Sequence, residues 1–121
     1  MMVFPDKPGP PAAFDISEIT NESCFLAWNP PRDDGGSKVT NYIVERKVAE
    51  SELWYKLSST VKQTTYKATN LTAFKNYVFR VFAENQFGVG PAEEHAPITA
   101  RYSFGMYFQH TLLTYIPDRN S

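Results

Sequence analysis

The sequence predicts an all-β fold, a seven-stranded antiparallel β-sandwich. Three observations lead there. Between Ala13 and Ala100 apolar residues alternate over short runs, with no sustained helical period. Clusters of Pro, Gly, Asp and Asn punctuate those runs. The chain has 121 residues, of which 42% are hydrophobic and 15% aromatic, enough for the core of one domain.

The elements follow in order. Residues 1–11 carry four prolines between Pro5 and Pro11. Proline excludes helix and favours extended chain, so this stretch reads as a linker. Phe14, Ile16 and Ile19 mark a first strand. Cys24, Leu26 and Trp28 share one face of the second, by the strand period of two. Pro30-Pro31 ends it, because proline cannot donate to a sheet ladder. Arg32 to Ser37 contains Asp33-Asp34-Gly35-Gly36 and reads as a turn-rich loop.

Tyr42 and Val44 then share a face of the third strand. Trp54 and Leu57 fall on a shorter one, and Tyr66 and Ala68 point inward from the next. The clearest run comes last but one. Tyr77, Phe79, Val81 and Ala83 alternate with Val78, Arg80, Phe82 and Glu84. Asn85 to Pro91 makes a turn, and a final strand runs near His95 to Ala100. The expected core is Trp28, Tyr42, Val44, Trp54, Leu71, Tyr77, Phe79 and Val81. Two sheets packed face to face bury such alternate side chains.

Composition and motifs exclude much chemistry. Twelve Lys and Arg against thirteen Asp and Glu give a net charge of −1, so no long-range field selects nucleic acid or an anionic membrane. No apolar stretch is long enough to span a bilayer. The one cysteine, Cys24, cannot close an internal disulfide and mildly favours a reducing compartment. Its inward position makes it a small apolar residue. His95 and His110 stand alone, outside any metal or catalytic pattern. Asp33 and Asp34 lack the ligand series of a calcium loop. No catalytic, cofactor-binding or metal-binding residue is expected.

Pro8-Gly-Pro-Pro11, Trp28-Asn-Pro-Pro31, Tyr42-Ile-Val-Glu45, Trp54, Leu71 with Tyr77 six residues on, Tyr77-Val-Phe-Arg-Val81 and Ala83-Glu-Asn85 before Gly88 and Gly90 resemble the fibronectin type III family. The likeness covers roughly residues 8–100. Asp33-Asp-Gly-Gly-Ser37, Thr40-Asn-Tyr-Ile-Val-Glu-Arg46 and Ala83 to Gly90 look like the A-band repeats of titin and their relatives in twitchin and myosin-binding protein C. The resemblance implies an immunoglobulin-like sandwich over residues 12–101 and a sarcomeric, A-band location in the cytoplasm. It also implies a structural, interaction-making role in a giant scaffold. The implied partners are neighbouring immunoglobulin-like and type III domains of the same parent chain, and myosin or other thick-filament proteins. An extracellular adhesion or receptor module is the competing reading, permitted by the glycosylation triplets at Asn21 and Asn70.

Ile43, Glu45, Arg80, Phe82 and Glu84 fall on the outward face of the third and sixth strands. An aromatic among charges there is either a binding face or cross-strand pairing that holds the sheet. Residues 102–121 read as an irregular C-terminal tail or a non-native extension, the departure from the repeat pattern beginning at Gly105.

Overall fold

A computed structural model describes residues 4–102. Among the described residues nine strand segments form two antiparallel sheets. Strands β1 (Ala12–Ser17), β2 (Cys24–Asn29) and β5 (Thr65–Ala68) make one sheet in the order β1-β2-β5. Strands β4 (Tyr55–Val61), β3 (Asn41–Val48) and β6 (Asn76–Asn85) form the other. Its far edge is built from three two-residue pieces, β7 (Gly88–Val89), β8 (Glu93–Glu94) and β9 (Ile98–Thr99), each paired with β6. Taken as one interrupted strand, these pieces complete the expected seven. The interruption has a local cause: Pro91 and Pro97 flank the middle piece and carry no N–H for a ladder.

The core lies between the sheets. It gathers Cys24, Leu26 and Trp28 from β2, Tyr42 and Val44 from β3, and Tyr77, Phe79, Val81 and Ala83 from β6. Leu71, Val61, Ala68 and Ala100 close its ends. Phe14 and Tyr42 meet the Trp28 ring edge-on at 6.3 and 5.5 Å. One residue expected there is elsewhere. Trp54 is half-buried just before β4 and lies outside the buried cluster. Its ring packs on the outward face instead, against Arg80 and Lys47. Leu57, three residues on, does pack against the core. An odd offset along an extended chain sends two side chains to opposite faces.

The segment expected to be a linker is no free tether over its described part. Pro8 and Pro11 are fully buried. The Asp6 N–H donates to the Gly35 carbonyl and the Gly9 N–H to the Asp33 carbonyl, both at 2.8 Å. Asp33 and Asp34 turn the loop by accepting from the Gly35 and Gly36 N–H groups at 2.9 and 2.8 Å. That is the turn role expected of them. The expectation for the tail beyond Tyr102 falls outside the described residues.

Cys24 is 1% exposed. Burial pushes its thiol from 9.0 up to about 11, while the Arg46 charge pulls weakly the other way. A thiol reagent at pH 8 should therefore modify it slowly in the folded chain and fast in urea. Because the unfolded thiol gives up its proton first, stability should fall as pH rises from 9 toward 11. Rapid labelling without denaturant would refute this placement.

Candidate protein-binding face

The outward face of the second sheet is assembled by the register of β3 on β6. Asn41 faces Glu84, Ile43 faces Phe82, Glu45 faces Arg80 and Lys47 faces Val78. Odd-numbered residues of β3 and even-numbered residues of β6 thus share one surface, opposite Tyr42, Val44, Phe79 and Val81. All five residues expected on this face are brought together there.

Their chemistry is organised around Arg80. Its Nε and Nη2 both donate to Glu45 Oε1, at 2.9 and 2.7 Å. The side chains are 27% and 17% exposed, so the pair is partly shielded and holds a defined geometry. The guanidinium stacks 3.8 Å above the Trp54 ring and lies 5.1 Å from the centre of Phe82. Lys47 Nζ sits 5.5 Å from the centre of Trp54. Phe82, Arg80, Trp54 and Lys47 therefore alternate ring and cation across the sheet. Each desolvated contact of this kind contributes about 0.5–2 kcal/mol. Glu84 accepts from Asn41 Nδ2 at 2.9 Å, which fixes the edge of the row.

Two expected features come out differently. Ile43 is 8% exposed and so cannot be a contact by itself. It lies in the floor of a shallow hollow of about 220 Å³ lined also by Glu45, Lys56, Phe82 and Val89. Trp54, assigned above to the core, is the central ring of the face. Pattern reasoning missed it there, although its odd spacing from Leu57 carried the signal. Both readings of the face survive as physics. The cation–ring contacts stabilise the sheet, and they also hold large side chains rigid at the surface.

Among the described residues no group of three or more His, Cys, Asp or Glu is placed to hold a metal ion. No helix of the described residues is long and apolar enough to cross a membrane.

Comparison with known proteins agrees with this architecture. The family model described as "Fibronectin type III domain" matches residues 9–101. Human fast-type myosin-binding protein C is 44% identical over 85 residues, 69% of this chain and 7% of that protein. Titin of Drosophila melanogaster is 34% identical over 100 residues, 82% of this chain and 1% of that protein. Among solved structures, titin domains A168–A170 superpose with a TM-score of 0.74 at 38% identity, over 79% of this chain and 33% of that one. The twitchin kinase region of C. elegans gives 0.73 at 36% identity, over 78% of this chain and 17% of that one. The chain thus spans a small part of the length of these relatives. With the two sheets, the buried Trp28 and the match over residues 9–101 together, the chain belongs to the fibronectin type III family.

Proposed function

We propose that this domain is a non-catalytic structural and interaction module of a sarcomeric scaffold. In this reading it spaces its neighbours along a long chain and docks thick-filament proteins through the β3–β6 face. The observation that carries it is the similarity, at 34–44% identity, to modules of titin and of a protein named for binding myosin. The face adds a physical means. Trp54, Arg80 and Phe82 are large side chains already held in place, so little rotamer entropy is lost when a partner covers them. Aromatic and arginine side chains are the usual anchors of interfaces.

One sandwich face offers a modest area, so a single domain is expected to bind weakly. Linked repeats gain attachment by raising the effective concentration of each next site. Co-sedimentation with myosin filaments tests this. A stretch of the parent chain carrying this domain and its neighbours should pellet, and the single domain poorly. Arg80→Ala with Phe82→Ala should reduce pelleting severalfold, with folding of the variant checked by circular dichroism. Equal pelleting of variant and parent discards this face. No pelleting at any length discards myosin as partner and favours an extracellular adhesion role.

A further inference from the structure

A second polar cluster sits where β6 ends, just past Glu84, and its side chains are not those of the docking face. Asn85 is 3% exposed, a polar side chain buried at the end of β6. Its Nδ2 donates to the Asp6 carbonyl at 2.8 Å and to the Asp34 carbonyl at 2.9 Å. Its Oδ1 accepts from the Phe87 N–H at 2.8 Å. One amide therefore ties together the N-terminal segment, the β2–β3 loop and the β6–β7 turn.

The β2–β3 loop and the stretch from Gly88 to Gly90 are shaped to let that segment through. A Cβ on Gly35 would land on the Asp6 carbonyl oxygen, and a Cβ on Gly90 on the Pro8 carbonyl oxygen. Gly35 has φ +77°, so its turn also calls for glycine. Gly90 is not among the positive-φ glycines, so it is close approach of the segment that calls for glycine there. The Lys7 side chain lies against Gly88. Outside these loops the segment makes few ties: Phe4, Pro5, Asp6 and Lys7 are all exposed.

We propose that residues 5–9 form a releasable strap, latched by Asn85 between the two loops, which opens while the sandwich stays folded. The physical ground is the division of contacts. The strap is held by a few hydrogen bonds and by Pro8, whereas the sheets are held by the shared core of β2, β3 and β6. Opening it would free five residues of tether, roughly 16–18 Å of extended chain, without unfolding the domain. The strap thereby sets how stiffly this domain is joined to whatever precedes it.

Residue-resolved amide exchange on the full chain tests the latch. In the parent, the Asp6 and Gly9 amides should exchange at least tenfold more slowly than in an unstructured peptide and tenfold faster than the β6 amides. Asn85→Ala, and independently Gly90→Ala, should bring Asp6 and Gly9 to peptide rates and alter the β6 amides by less than a few-fold. A chain lacking residues 1–9 should still protect β6. Strap amides that are unprotected in the parent, or that exchange in step with β6, overturn the proposal. So does loss of β6 protection in the shortened chain.

Discussion

Replacing Trp28 with Ala is expected to cost about 3–5 kcal/mol, through lost burial and the cavity left behind. Domains of this size have about 5–15 kcal/mol in total, so the variant should be barely folded or unfolded. Trp28 is 3% exposed, and its ring meets Phe14 and Tyr42 edge-on between the two sheets. Its Nε1–H is buried and meets no acceptor among the described residues, so what the protein draws from Trp28 there is the shape and area of the ring. Trp28→Phe should accordingly retain much more stability than Trp28→Ala. Urea melts of the three proteins decide it. A loss under 1 kcal/mol for Trp28→Ala would contradict its place in the core.

Removing one oxygen from Tyr77 should have the next largest effect. The Thr72 N–H donates to the Tyr77 hydroxyl at 2.8 Å, five residues back along the chain. The bond closes the corner between β5 and β6, while the ring lies buried beside Phe79 and beneath the Arg46 guanidinium. Tyr77→Phe keeps the ring and leaves the Thr72 amide without its acceptor. The expected loss is about 1–3 kcal/mol. Thr72 amide exchange in the same variant should rise more than that of β6. A melt that matches the parent's would show that water replaces the hydroxyl at no cost.

Much of this architecture was legible because strands advertise themselves by period. Tyr77, Phe79, Val81 and Ala83 fall inward in the structure as the alternation requires, and Arg80, Phe82 and Glu84 fall outward. Trp28 was legible for the same reason. Trp54 was misplaced because size and hydrophobicity were weighed above spacing, and a tryptophan can satisfy its surface with cations instead of a core. Ile43 defeated the pattern differently. It does lie outward, but longer neighbours cover it, which depends on side-chain lengths across strands. The strap was illegible in kind. Asp6 and Asn85 lie far apart in sequence, and nothing local to Pro8-Gly-Pro-Pro11 says that two loops will close over it. Proline content pointed away from helix, and residues 4–11 form none, but it said nothing of what they would touch.

The broken edge of β7, β8 and β9 bears on life among many copies. In a chain of similar domains each sheet edge meets its neighbours at very high local concentration, where an open ladder invites strand exchange and co-aggregation. Here the edge beyond β6 never runs more than two residues before it is interrupted, and the middle piece is Glu93-Glu94 between two prolines. On the opposite side β4 meets β3 with two register shifts, which keep that edge from lying flat. Flanks broken and bent in this way make poor templates for a neighbour's strand.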